Sequence, residues 1–292
     1  MTAATIDHGP QRSPLYFALR RFAANRAAVV GGAVLAILIL MAIFAPLITR
    51  TGPSDQSYLT QSLAFPSRGF WFGIDDLGRD FFTRIVYGAR VSLTIGFVAA
   101  AFSVLIGIPL GAIAGYYGGR TEWGVMRLIE LFSVVPPLLA AMLLGALTQG
   151  GFFTIVLIAA LFGWVQVCLL VRAQIKAFKE KEFVRAAAAL GATPGYIIRR
   201  HLVPNSISPI IVGFVLAIPL AMMLEASLSF LGIGVPPPTP SWGQMINTGM
   251  NFMYFYWHMA VFPTAALGIT VLATTLFGDG LRDALDPTLK GR

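Results

Sequence analysis

Six stretches of this chain, at about 27–48, 91–114, 128–147, 152–171, 206–231 and 258–278, are long and apolar enough to cross a bilayer. A helix of about 20 apolar residues spans the roughly 30 Å of hydrocarbon. Lipid admits only helices or closed barrels, because every backbone polar group must be satisfied internally. The expected fold is therefore all-α and polytopic, with six transmembrane helices. Composition agrees: charged residues are 12% of the chain and mean hydropathy is +0.75, where a soluble domain carries about 25% charged residues. Pro209, Pro219 and Pro263 fall inside the last two spans, which is tolerated where neighbouring groups satisfy the freed carbonyls.

Six spans put both termini on one side of the membrane, and the basic residues indicate which. With the N-terminus inside, 16 of the 21 Lys and Arg fall in inner segments, seven of them in 172–201. The remaining five lie in 50–90, where Asp55, Asp75, Asp76 and Asp80 accompany them. Positive charge collects on the cytoplasmic side, so the chain reads as N-in and C-in. The formal charge of +8 is accounted for by this bias and needs no nucleic acid. The expected order is a cytoplasmic segment (1–26), a first span retained as an anchor (27–48) and an outer loop (49–90). A five-span core (91–278) follows, holding a cytoplasmic loop (172–205), and a cytoplasmic tail (279–292) ends the chain.

The outer segments carry structure of their own. In "FWFGIDDLGRDFFTRIVYGAR" (70–90), Phe81, Ile85 and Tyr87 among charges suggest a short interfacial helix ahead of span two. "GVPPPTPSWG" (234–243) favours an extended, polyproline-type loop. Pro236, Pro237, Pro238 and Trp242 in it are candidates for contact with an outside partner, since a stiff loop loses little entropy on docking. Four aromatics in "NFMYFYWHM" (251–259) suit an interface belt. Gly107, Gly111, Gly115 and Gly119 recur every four residues, a spacing that lets helix backbones pack closely.

The sequence offers no engine of its own. It has no G-x-x-x-x-G-K-[ST] phosphate loop, no H-E-x-x-H and no G-x-S-x-G. His8, His201 and His258 are far apart, and Cys168 is the only cysteine. No catalytic residue, metal site or cofactor is therefore expected in this chain. Glu225 is the one ionisable residue well inside an apolar span. A charged side chain there costs about 2.5–3.5 kcal/mol on insertion scales, so it should face a partner, a wet cavity or the outer interface, in a structural or path-lining role or as the coupling group of an ion-driven transporter.

One polar stretch interrupts the oily pattern: "EKEFVRAAAALGATPGYIIRRHLVPN" (180–205). As a helix it places Phe183, Ala186, Ala187 and Leu190 on one face, at i, i+3, i+4 and i+7. Gly191 is a natural helix C-cap, and a second short helix can run from Pro194 to His201 before Pro204 opens span five. A small-residue face of this kind suits either a groove on another protein or the bilayer surface.

"RAAAALG" followed by "HLVPN" resembles the loop signature of ATP-binding-cassette importer permeases: Glu-Ala-Ala, three residues, Gly, nine residues, Ile-x-Leu-Pro. Ala186, Ala187, Gly191 and Pro204 match. Arg185 stands where the family has Glu, with Glu182 one turn earlier as the nearest carboxylate. "FGIDDLGRDFFTRIVYGARVSL", "EASLSFLGIGVPPPTPSWG" and "GDGLRDALDP" are similar to the second (C-type) permeases of peptide and nickel importers. The resemblance implies a type I importer permease in a bacterial inner membrane, paired with a homologous second permease. Two cytoplasmic ATPases, which bind the ATP and magnesium, would dock beneath, and an extracytoplasmic binding protein would deliver peptide, nickel or another small solute. Glu182 to Gly191 would be the coupling helix seated in a groove of the ATPase.

Overall fold

The computed structural model describes residues 14–148 and 150–285; the expected terminal segments 1–26 and 279–292 lie partly outside the described residues. Among the described residues the chain is built from helices, with one isolated antiparallel bridge between Ile74 and Asp80. α1 (Pro14–Ala24) leads into α2 (Arg26–Ile43), whose first turn is capped by Asn25 Oδ1 accepting from the Ala28 amide at 3.2 Å. α3 (Ala45–Ile48) follows. The remaining long helices are α4 (Phe81–Tyr117), α7 (Phe152–Lys179), α11 (Ile207–Phe230) and α13 (His258–Leu285). Between them lie α5 (Gly119–Val134), α6 (Pro137–Thr148), α8 (Glu182–Ala189), α9 (Pro194–Ile197), α10 (Val203–Asn205) and α12 (Trp242–Met250).

Among the described residues five helices, α2, α4, α7, α11 and α13, are long and apolar enough to cross a membrane. The expected third span, 128–147, is instead a pair: α5 and α6 meet at a bend of 77°, and the count reaches six only if this pair is one span. The break falls at Pro136 and Pro137. Two successive prolines remove two amide donors, and Val135, which precedes them, is extended (φ −84°, ψ 120°) as residues before proline prefer.

The interfacial helix expected within 70–90 is not separate from span two. α4 starts at Phe81 and continues for 37 residues, roughly 55 Å at 1.5 Å per residue. Asp80 sets its start, with Oδ2 accepting from the Thr83 amide at 3.0 Å and from Thr83 Oγ1 at 2.6 Å. No turn signal interrupts the 81–90 segment, so it simply extends the span beyond the apolar thickness.

The loop before α4 is organised by a buried acid. Asp75 Oδ1 accepts from the amides of Leu77 and Arg79, both at 2.9 Å, and Asp75 Oδ2 lies 2.6 Å from Arg79 Nε and 3.4 Å from Arg84 Nε. Arg84 also donates to Pro53 O at 3.1 Å, fixing the distant start of the loop. All three side chains are nearly inaccessible. Asp76 is held beside them; burial first, and the Asp75 carboxylate second, raise its carboxyl above the ordinary carboxylate value. Asp75→Ala leaves the buried Arg84 guanidinium without its carboxylate and Arg79 with only Asp76, 3.8 Å away. It should cost about 3–5 kcal/mol, read as a lowered unfolding midpoint of the purified protein in detergent.

α4 and α7 form the most intimate helix pair. A Cβ on Gly107 would lie 2.7 Å from Val167 Cβ, on Gly111 2.5 Å from Cys168 O, and on Gly115 2.8 Å from Arg172 O. Gly119, expected in the same stripe, is not part of it: α4 ends at Tyr117, Gly119 has φ +51°, and a Cβ there would meet nothing within 4 Å. Below the seam, Glu122 of α5 receives Lys176 Nζ at 2.8 Å and the Arg172 guanidinium, both from α7. This pairing ties the turn after α4 back to α7.

Candidate functional site

The polar stretch 180–205 folds as a compact outgrowth on one end of the bundle. Val184, Ile197 and Leu202 are buried and pack with Val171 and Ile175 of α7 and Ile210 of α11. These apolar positions dock the segment onto the chain's own helix ends, and what they leave outside is the free surface. On α8 and at its C-cap, Phe183, Ala186 and Leu190 are exposed, Leu190 by 89%. Ala187, expected on the same face, is half-buried against the chain's own core. The correction has a simple cause: Val184 is the strongest apolar anchor on α8, and Ala187 lies one turn along beside it.

The end of α8 follows the sequence expectation closely. Gly191 has φ +83°, its amide donates to Ala188 O at 3.0 Å, and the Ala192 amide donates to Ala187 O at 3.1 Å. This pair of bonds is the Schellman arrangement, and a left-handed residue here suits glycine. The chain then turns into α9, capped by Thr193, and Tyr196 and His201 rings stand 5.7 Å apart, with Phe183 and His201 at 6.4 Å. Tyr196 is exposed, so the free surface carries a small aromatic cluster beside Ala186.

Residues 198–202 form a π-helical turn leading directly through α10 into α11. Pro204, which has no amide to return to the preceding turn, sits at its end. The stretch expected as a separate helix up to His201 is thus nearly continuous with the membrane helix it precedes. Arg185 pairs with Glu180 at 3.5 Å, both side chains about 70% exposed, an ion pair worth little in water. Glu182 is exposed in the first turn of α8.

At the other end of the bundle, two features that are 17 residues apart in sequence come together. Glu225 is fully buried in α11. It accepts from Ser229 Oγ at 2.7 Å and from Ser92 Oγ of α4 at 3.2 Å. Trp242, expected to reach an outside partner, is fully buried, and its Nε1–H donates to Ile85 O at 3.0 Å. Pro236, Pro237 and Pro238 are exposed as expected of a free loop. Trp242 is drawn inward because α12 starts there and its indole fills the gap beside Gly88 of α4. Sequence reasoning missed Ser92, Ser229 and Ser241, which build the polar site; isolated serines in apolar helices carry no periodic signal. Among the described residues no three His, Cys, Asp or Glu side chains gather to hold a metal ion.

Comparison with known proteins gives this geometry a family. The family described as "Binding-protein-dependent transport system inner membrane component" matches residues 107–291, and "N-terminal TM domain of oligopeptide transport permease C" matches residues 13–66. The chain is 41% identical over 273 residues to the oligopeptide transport system permease protein OppC of Bacillus subtilis, covering 94% of this chain and 89% of that one. It is 41% identical to the dipeptide transport system permease protein DppC of the same organism, over 96% and 88% of the two chains. It is 37% identical to the glutathione transport system permease protein GsiD of Pectobacterium atrosepticum, over 99% and 96%. Among solved structures, an inward-facing conformation of the MetNI methionine ABC transporter aligns with a TM-score of 0.55 at 18% identity, covering 70% of this chain and 96% of that chain. Its likeness is one of fold. With both family models in their expected order and relatives matched along nearly their full length, the chain belongs to the inner-membrane permeases of binding-protein-dependent ABC importers, in the oligopeptide permease C group.

Proposed function

We propose that this permease forms one half of the path of an ATP-driven importer for short peptides, with a homologous permease as the other half. The observation that carries the reading is the free face of α8, small at Ala186 and flanked by Phe183 and Leu190, on a segment packed against α7 and α11. A shallow apolar face supported by a fixed base suits a groove on a second protein better than a lipid surface, because lipid requires no fixed shape. The occupant proposed is a cytoplasmic ATPase, one of two that bind ATP and magnesium for the assembly. Closure of the two ATPases draws the coupling segments together and moves α11 through the continuous turn at 198–205. The path then closes inward and opens toward an extracytoplasmic binding protein, with the exposed prolines 236–238 as its proposed contact.

Peptide cargo is favoured over nickel because the similar permeases are those of oligopeptide, dipeptide and glutathione systems. An ion-driven mechanism draws no support from Glu225, whose two oxygens are already occupied by serine hydroxyls. The test is reconstitution of the complex isolated from membranes. It should contain the sister permease and two ATPase subunits, and take up di- or tripeptides into vesicles only with ATP and loaded binding protein. Uptake by the purified chain alone, driven by a proton or sodium gradient, would overturn the reading.

A further inference from the structure

Glu225 is a buried acid whose neighbours are serines, not bases. Tracing the donors backward from its carboxylate gives two chains. Ser229 Oγ donates to Oε1; Ser241 Oγ lies 3.4 Å behind it, and the Gln244 amide donates to Ser241 Oγ at 3.3 Å. On the other oxygen, Ser92 Oγ donates to Oε2 and receives the Trp242 amide at 3.3 Å. Both chains therefore begin at backbone amides in the first turn of α12. Those amides have no partner within the helix, and a helix N-terminus carries partial positive charge. The carboxylate is balanced by a helix end, delivered through three hydroxyls.

Packing makes the same connection. A Cβ on Gly243 would lie 2.6 Å from Ala226 Cα, so α12 sits directly on the α11 backbone beside Glu225. Trp242 anchors α12 to α4 through Ile85 O. α11 itself runs from the π turn after α8 at one end to this network at the other.

We propose that Glu225 is a positioning residue that fastens α12, and the exposed loop before it, to α11 and α4. A displacement of α11 begun at α8 then reaches the outer surface as a movement of the loop. This rests on the reading of α8 as the ATPase-docking surface. Without the carboxylate, both donor chains end on an apolar contact, α12 loses its register, and the two ends of α11 act independently.

The experiment places a fluorophore on the loop at Thr239→Cys in the assembled complex and records its change on adding ATP with magnesium. The native Cys168 is buried, so within this chain labelling is confined to the new thiol, and exposed cysteines of the partner subunits are first replaced by serine. Glu225→Leu should keep the ATPases bound and the basal hydrolysis rate within about twofold, while the ATP-induced signal falls roughly tenfold, the scale of losing buried hydrogen bonds. Glu225→Gln should restore the signal to within about twofold, because serine hydroxyls accept as well as donate. If Glu225→Leu does not assemble, Ser92→Ala and Ser241→Ala each cut one chain and should each at least halve the signal. An ATP-induced signal of native size in Glu225→Leu, or in both serine variants, overturns the proposal. So does a hydrolysing native complex whose loop does not respond. Loss of bound ATPase from the native complex would instead sink the docking reading first.

Discussion

Gly111→Leu is expected to prevent this protein from folding. A Cβ at that position would stand 2.5 Å from Cys168 O and 2.9 Å from Val171 Cβ. The obstacle is largely backbone, which cannot rotate away. Admitting a leucine would require α4 and α7 to separate along the seam that Gly107 and Gly115 also close. Overpacking of this kind costs about 3 kcal/mol or more, and the seam supports both the Glu122 pairing and the base on which α8 sits. The measurement is the yield of monodisperse protein from membranes and its unfolding midpoint in detergent. Gly119→Leu is the informative comparison. It meets no atom within 4 Å and incurs only the left-handed backbone penalty of roughly 1–2 kcal/mol. Equal loss in both variants would mean that the glycine seam is not what holds α4 to α7.

Ala186→Trp is expected to leave the permease folded and to strip it of its ATPases. Ala186 is exposed on α8 and makes no core contact, so an indole there projects outward with nothing of its own chain to displace. Against a fitted groove the same indole prevents close approach, and a clash at the centre of a small interface removes at least about 2 kcal/mol of binding, some thirtyfold. Co-purification of the ATPase subunits should fall accordingly, and peptide-stimulated hydrolysis with it, while the unfolding midpoint of the permease stays native. Ala187→Trp is a poorer probe despite its place in the signature. Ala187 is half-buried against Val184 and its neighbours, so bulk there disturbs the outgrowth itself. Native association in the Ala186 variant would remove this face of α8 from the docking surface.

The coupling segment was legible in part. The i, i+3, i+4 spacing marked α8, and the need for a positive φ marked Gly191, because both are local rules that a short window of sequence contains. Which of Ala186 and Ala187 faces outward depended on where Val184 found its pocket between α7 and α11, contacts separated by many residues. The glycine stripe shows the same division. Spacing alone placed four glycines on one face, but only three stand on α4, since the helix ends at Tyr117 and the chain turns at Gly118 and Gly119. The expected span 128–147 took no account of the proline pair at 136 and 137, where the structure bends by 77°.

The sequence by itself determined that this chain lives in a membrane, that its backbone must be helical there, and where α8 is capped. Those follow from transfer free energy and local hydrogen bonding, which act over tens of residues at most. Only the tertiary structure decided that Trp242 turns inward, and that Glu225 is answered by Ser92, Ser229, Ser241 and the amides of α12. A buried carboxylate must be satisfied by whatever donors the packing of three helices brings within reach, and residues 92, 225 and 242 become neighbours only when α4, α11 and α12 close on one another.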